Sequence, residues 1–103
     1  MSEVPVYLIA HFIIHDAASY RIYEKQFFPI LKRHGGEFLT YDDDPETFEG
    51  EEPMQGRVVL LKFPNESDAR TWYSDPEYQR ISEHRRAGIR IRFFSMIHGI
   101  RTI

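Results

Sequence analysis

The segment Val6–Ile14, VYLIAHFII, constrains the fold more than any other part of this chain. It is rich in branched and aromatic residues and too short for a free-standing helix, so it predicts a β-strand. Alternation gives one face Val6, Leu8, Ala10 and Phe12, and the other face Tyr7, Ile9, His11 and Ile13. Only His11 interrupts the two apolar faces. A strand of this kind is covered by protein on both sides.

Two further segments predict strands. Arg57–Phe63, RVVLLKF, alternates Val59, Leu61 and Phe63 with Val58, Leu60 and Lys62. The segment 89–99 alternates Ile89, Ile91, Phe93, Ser95 and Ile97 with Arg90, Arg92, Phe94, Met96 and His98. We therefore expect one mixed face on the last strand.

Capping residues mark the predicted helices between these strands. Asp16 is placed to cap a helix that ends at Gly35-Gly36, and Asn65 or Ser67 to cap another. The second helical segment restarts with Asp75 as N-cap and Pro76 in the first position, and Gly88 ends it. A short strand over 37–41 and a brief return strand around 47–49 complete the prediction.

This order of elements predicts an α+β fold, the ferredoxin-like β-α-β-β-α-β arrangement, in one domain spanning residues 1–103. The antiparallel sheet carries its helices on one face. Helices on one face leave the other apolar face bare, and monomers rarely expose such a patch. We therefore expect a homodimer in which two sheets pack face to face.

Composition excludes several classes of function. No cysteine occurs, so disulfides and thiolate chemistry are ruled out. The first apolar run stops at His15-Asp16 without a preceding Lys or Arg, which is typical of a strand and not of a signal peptide, and no run approaches a membrane span. We expect a cytoplasmic protein. RNA-binding domains of the same strand order carry an aromatic and basic third strand, which RVVLLKF is not, so no nucleic-acid partner is expected.

The chain also resembles a known family over nearly its whole length. The features that carry the resemblance are Gly35-Gly36, Phe48-Glu49-Gly50, Arg57, Phe63-Pro64, and Trp72-Tyr73 with Ser74, Pro76, Glu77 and Tyr78. They are similar to domain-of-unknown-function family 1330, within the dimeric α/β-barrel superfamily. The resemblance implies two ferredoxin-like subunits that form one barrel, and it brings no settled reaction.

Four residues are candidates for a ligand site, namely His11, Tyr41, Arg90 and Arg92. His11 is the ionisable residue of the first strand and can act as an acid, a base or an anion partner, or it can be a buried histidine satisfied by Tyr7 or Tyr41. Arg90 and Arg92 on the last strand can clamp a carboxylate or form ion pairs between subunits. The five histidines lack metal-binding spacing, so neither a metal nor another cofactor is expected.

Three functions remain open at this point. The first is a homodimer that binds a small organic molecule, anionic or neutral, in a pocket of each subunit between sheet and helices. The second is a cofactor-independent monooxygenase or isomerase, in which His11 transfers a proton and Tyr41 or Arg92 stabilises an oxyanion. The third is a structural or interaction subunit without a ligand site.

Overall fold

The predicted main strands pair into one antiparallel sheet in the computed structural model, which describes residues 3–101. The strands are β1 (Val6–Ile14), β2 (Glu37–Asp42), β3 (Arg57–Phe63) and β4 (Ile89–His98), in the order β2-β3-β1-β4. β1 and β3 are the central strands, and helices connect β1 to β2 and β3 to β4. This is the ferredoxin-like arrangement that the sequence predicts. Residues 1–2 and 102–103 of the predicted domain lie outside the described part.

Three helices cover one face of this sheet. They are α1 (Ala17–Arg33), α2 (Glu66–Ser74) and α3 (Pro76–Gly88). The carboxylate of Asp16 accepts from the amide of Ser19, the side chain of Asn65 from that of Asp68, and Asp75 from that of Glu77. The predicted caps are thereby confirmed, as is the restart of the helix at Pro76. In residues 3–101, no helix combines the length and the apolar character needed to cross a bilayer.

The brief return strand predicted around residues 47–49 is wrong. Turns and irregular chain connect β2 to β3. Side chains bond to the backbone here in place of a strand ladder: the amide of Asp44 donates to the Asp42 carboxylate at 2.8 Å, and the amide of Met54 donates to the Thr47 hydroxyl at 3.0 Å.

The pairing of β1 with β3 confirms the two-faced pattern of both strands. Ala10 lies opposite Val59, and Leu8 lies opposite Leu61, on the face that the helices cover. The neighbouring residue His11 lies opposite Val58 on the other face. We call that second face, which no helix of the described chain covers, the open face.

The alternation predicted for β4 is wrong beyond Ile91, because a bulge shifts the register. Ile91 pairs with Phe12, but Phe93 pairs with His11, so Arg92 is an extra residue without a partner on β1. The helix-covered face therefore takes Ile89, Ile91, Phe94, Met96 and His98, and the open face takes Arg90, Phe93, Ser95 and Ile97. Phe94 therefore packs against the core, whereas Phe93 lies on the open face.

Gly88, at the end of α3, contacts the backbone that leads into α1. Its carbonyl accepts from the amides of His15 and Asp16 at 2.9 and 3.1 Å. A β-carbon at this position would lie 2.7 Å from the carbonyl oxygen of Asp16 and 3.0 Å from the amide nitrogen of Tyr20. Because these are backbone atoms, they cannot turn aside as a flexible side chain can.

We predict that Gly88→Ala lowers the free energy of unfolding by about 2 kcal/mol, since overpacking against backbone outweighs the gain in helix propensity. Chemical denaturation monitored by circular dichroism measures the change. The exposed neighbour Ala87 supplies the control, because Ala87→Gly costs only about 0.5–1 kcal/mol through propensity. A Gly88→Ala protein as stable as the wild type would contradict the close contact.

Candidate functional site

A cavity of about 280 Å³ separates α1 from the helix-covered face of the sheet. The lining side chains are mostly apolar or aromatic and come from all four strands, from α1 and from α3. They are Leu8, Ala10, Phe12, Tyr20, Tyr23, Glu24, Phe27, Phe28, Phe38, Tyr41, Arg57, Val59, Leu61, Arg85, Ile91 and Phe94. Cavities of this composition between secondary-structure layers are the usual place for small-molecule sites.

The cavity exists because the middle of the sheet carries a small residue where α1 carries large ones. Ala10 lies at the centre of β1, between Val59 of β3 and Phe94 of β4. Above it, α1 presents the rings of Tyr20, Tyr23 and Phe27, which are in tilted contact with one another along the helix. Rings of this size hold the helix away from the sheet, and the methyl group of Ala10 does not fill the gap.

Two tyrosine hydroxyls of the cavity remain protonated well beyond neutral pH. Burial raises the pKa of Tyr20 to about 12. Burial also raises the pKa of Tyr23 well above its ordinary value, and the Tyr23 hydroxyl shares a 2.8 Å hydrogen bond with that of Tyr78. These groups therefore act as neutral hydrogen-bonding partners and not as anions.

An ion-pair network forms part of the cavity rim. Arg57 donates to both carboxylate oxygens of Asp43, at 2.6 and 3.1 Å, and to Glu24 on α1 at 3.2 Å. Its guanidinium carbon lies 4.6 Å from the ring centre of the half-exposed Tyr41. The Arg57 guanidinium, through these hydrogen bonds, lowers the pKa of the Asp43 carboxyl. The charge of Arg57 is thus neutralised within the chain.

Arg85 is the second cation of the lining, and its surroundings differ. The residue is only 7% exposed, and its Nε has no hydrogen-bond partner in the described part of the chain. Its guanidinium carbon lies 5.6 Å from the ring centre of Tyr23 and 5.5 Å from that of Phe94. Aromatic rings at this distance stabilise a cation electrostatically, but they do not satisfy its N–H groups.

Sequence reasoning missed both arginines, although signals for them exist. The buried positions of α3 include Tyr78, Ile81, Arg85 and Gly88, which recur at helical spacing. Arg85 therefore lies on the buried face of the helix, in line with the apolar residues. Arg57 precedes Val59 by two residues on β3, and strict alternation places it on the helix-covered face.

The structure separates the residues that the sequence singled out. Tyr41 lines the cavity. His11 lies on the open face, where its Nε2 donates to the backbone carbonyl of Gln55 at 2.6 Å and its ring meets that of Phe93 edge-on at 5.4 Å. Tyr7 and Tyr41, the partners considered for His11, do not bond to it in the described chain.

Arg90 and Arg92 are exposed and do not line the cavity. Arg90 pairs with Ile13 in the ladder and therefore lies on the open face with His11. Arg92 lies at the bulge. Within residues 3–101, no cluster of three or more His, Asp or Glu side chains is arranged to hold a metal ion.

A second depression of about 490 Å³ lies beside α2. It is lined by Leu8, Ala69, Arg70, Trp72, Tyr73, Ser74, Phe94 and Met96. The one charged residue there, Arg70, is mostly exposed and paired with Glu66 at 2.6 Å. Since the buried unpaired charge belongs to the first cavity, we place the candidate site in that cavity.

Comparison with known proteins agrees with the fold. A family model described as domain of unknown function (DUF1330) matches residues 5–99. No sequence among the curated proteins is significantly similar to the chain. Similar solved structures include a protein of unknown function from Rhodopseudomonas palustris, with 17% identity and a TM-score of 0.80 over 98% of this chain and 86% of that one.

Two more structures share the fold. SnoaB, a cofactor-independent oxygenase from Streptomyces nogalater, is 13% identical with a TM-score of 0.68, and the match covers 97% of each chain. A nipsnap family protein of unknown function from Agrobacterium tumefaciens is 19% identical with a TM-score of 0.59, over 98% of this chain and 93% of that one. At these identities the likeness establishes the ferredoxin-like fold and nothing about a reaction.

The buried tyrosines predict a loss of stability in alkaline solution. Below pH 10 the Tyr20 hydroxyl is protonated in both the folded and the unfolded chain, but between pH 10 and about 12 only the unfolded chain releases the proton. Stability therefore falls as the pH rises through this window, by roughly 2–3 kcal/mol for Tyr20 alone. Tyr23 and Tyr78, whose pKa values burial also raises, add to the loss.

Ultraviolet absorbance of tyrosinate and circular dichroism, recorded in one alkaline titration, measure this effect. Part of the tyrosinate signal should appear only in the step in which the secondary structure is lost. Complete ionisation of all six tyrosines in a chain that stays folded would contradict the burial of these hydroxyls.

Proposed function

This chain belongs to the DUF1330 family, whose description assigns no function, and we propose from the geometry of its cavity that each subunit of a homodimer binds one small organic molecule. The cavity between α1 and the sheet is the observation that carries the proposal. Its walls are aliphatic and aromatic, and polar groups occur at only a few positions of the lining. Apolar walls supply affinity and sparse polar groups fix orientation, as in most ligand sites.

The bound molecule contacts Tyr41 and Arg57 at the rim and the Tyr20 hydroxyl inside. Of the residues suggested by the sequence, Tyr41 alone belongs to this ligand site. We assign His11 and Arg90 to the interface, because both lie on the open face. The bond from His11 to the Gln55 carbonyl satisfies one of its ring nitrogens there.

The open face supports the proposed homodimer. Phe93 is 39% exposed and Ile97 is 49% exposed on this face, and Ile9, Val58 and Leu60 beside them are only partly covered. Together they form a contiguous apolar surface across three neighbouring strands. A second copy that packs its own sheet against this surface removes it from water.

An enzymatic role of the kind that SnoaB has finds less support. A proton-transfer step needs a base in the cavity, and His11 lies on the opposite face of the sheet. Within the described lining Glu24 is the one carboxylate, and it is bonded to Arg57 at 3.2 Å. Tyr20 and Tyr23 are held neutral by burial. Binding without turnover is therefore the function that the groups of the cavity support best.

Filling the cavity should abolish binding. We expect aromatic compounds of one or two rings, charged and uncharged, to include ligands that raise the melting temperature of the wild type. Ala10→Leu extends a side chain into the cavity and should weaken binding of every such ligand at least about tenfold, or about 1.4 kcal/mol, by isothermal titration calorimetry.

Ala87→Leu adds the same atoms on the exposed side of α3 and serves as the matched control, with wild-type affinity expected. If no compound binds the wild type, or if Ala10→Leu binds as the wild type does, the cavity is not a ligand site.

A charge on the open face should separate the subunits. Leu60→Asp places a carboxylate in the middle of the proposed interface, and an unpaired buried charge costs about 3–5 kcal/mol. By analytical ultracentrifugation we expect a dimeric wild type and a monomeric Leu60→Asp, with Phe93→Asp as a second variant in case the first fails to fold.

Ile22 is 43% exposed on α1, away from this face, so Ile22→Asp should remain dimeric. A wild type that sediments as a stable monomer at micromolar concentration would refute the dimer.

A further inference from the structure

The guanidinium of Arg85 is buried against the cavity without an anion to neutralise it. In residues 3–101 no carboxylate forms an ion pair with it, whereas Arg33, Arg57 and Arg70 all pair with Asp or Glu side chains. Its Nε is shielded from solvent and unbonded. A buried charge without a partner is strongly unfavourable, so a protein that retains one has a use for it.

We propose that Arg85 anchors a carboxylate, and that the ligand of the cavity is a small aromatic monocarboxylate. This inference rests on the proposed function, since it names the class of molecule that the cavity binds. A guanidinium presents its N–H groups in a planar fork that matches the two oxygens of a carboxylate. The pair that Arg57 makes with Asp43 shows the same geometry within this chain.

The rings around Arg85 explain how the charge persists when no ligand is bound. Tyr23 and Phe94 both lie within cation–π distance of the guanidinium. This contact stabilises the positive charge without using the hydrogen-bonding capacity of its N–H groups. The anchor is therefore preorganised, because the side chain does not have to leave another partner to meet the ligand.

The charges of the lining favour one negative charge on the ligand. Arg57 is already neutralised at the rim, and Glu24 beside it repels further anions. Arg85 is thus the one unneutralised cation among the described lining residues, which matches a monoanion better than a phosphate dianion. The rings of Phe27, Phe38 and Phe94 favour a flat aromatic body.

Matched pairs of compounds test the anchor in the unaltered protein. Benzoate and 2-naphthoate have nearly the same shape as benzamide and 2-naphthamide but differ in charge. By isothermal titration calorimetry we expect at least one carboxylate to bind the wild type about 30-fold or more tightly than its amide, a factor that corresponds to about 2 kcal/mol.

Arg85→Met keeps an unbranched apolar side chain at this position and removes the guanidinium charge. We expect this variant to bind carboxylate and amide equally, with the carboxylate weakened about 30-fold or more, and to melt no lower than the wild type, since removal of an unpaired buried charge costs no stability. The neighbouring Arg86→Met removes an exposed charge from the same helix and should keep wild-type selectivity. If Arg85→Met does not fold, the wild-type pairs decide.

The outcomes separate the two proposals. Amides that bind the wild type as tightly as the carboxylates, in a cavity that Ala10→Leu still blocks, would overturn the role of Arg85 and leave the ligand site in place. Failure of all four compounds and of the wider aromatic panel would remove the ligand site and the anchor together. A fall in the melting temperature of Arg85→Met with unchanged selectivity would make Arg85 a structural residue.

Discussion

The register of β1 is the constraint on which the rest of the structure depends. This strand is hydrogen-bonded to β3 on one side and to β4 on the other, and Ala10 and His11 follow each other along it on opposite faces. A shift of one residue would exchange the two faces completely. With the observed register, the smallest side chain of the strand lies beneath the large rings of α1, which creates the cavity. The same register sends His11 and Ile9 to the open face.

Patterns that depend on neighbours in sequence could be predicted, and features that depend on neighbours in space could not. The alternation of Val59 and Leu61 and the cap at Asp75 are local, and the structure confirms them. The bulge at Arg92 is different, because the adjacent Phe93 and Phe94 fit either face of the strand, and only the pairing with β1 decides which of them faces the helices. A cavity is a difference in volume between two layers, which no single segment encodes. The ligand roles predicted for His11, Tyr41, Arg90 and Arg92 stay predictions, since nothing in the fold alone tests them.

The two arginines of the cavity differ in whether a carboxylate of the described chain pairs with them. Arg57 lies at the start of β3, and its Nε donates to the carboxylate of Asp43, in the acidic segment after β2, at 2.6 Å. This ion pair holds the acidic segment at the rim of the cavity. Arg85 lies in the last turn of α3, where it faces Tyr23 and Phe94 and no carboxylate of the described chain. Because charged residues on a helix mostly face solvent, residue type alone does not distinguish Arg85 from its exposed neighbour Arg86. The distinction lies in the position of Arg85 on the stripe that begins at Tyr78.

The cavity and the open face lie on opposite sides of the same sheet and have no residue in common. Every strand residue that lines the cavity belongs to the helix-covered side of the register, including Ile91 and Phe94 on either side of the bulge. The proposed site is therefore complete within one chain, and the second subunit of the proposed dimer is required to cover an apolar surface and not to supply a binding group. Gln55 connects the two regions, because its carbonyl bonds to His11 on the open face while the segment that precedes it carries Asp43 to the rim. Contacts in the proposed dimer would thus act on this segment, and on the rim of the cavity through it, without touching the proposed ligand.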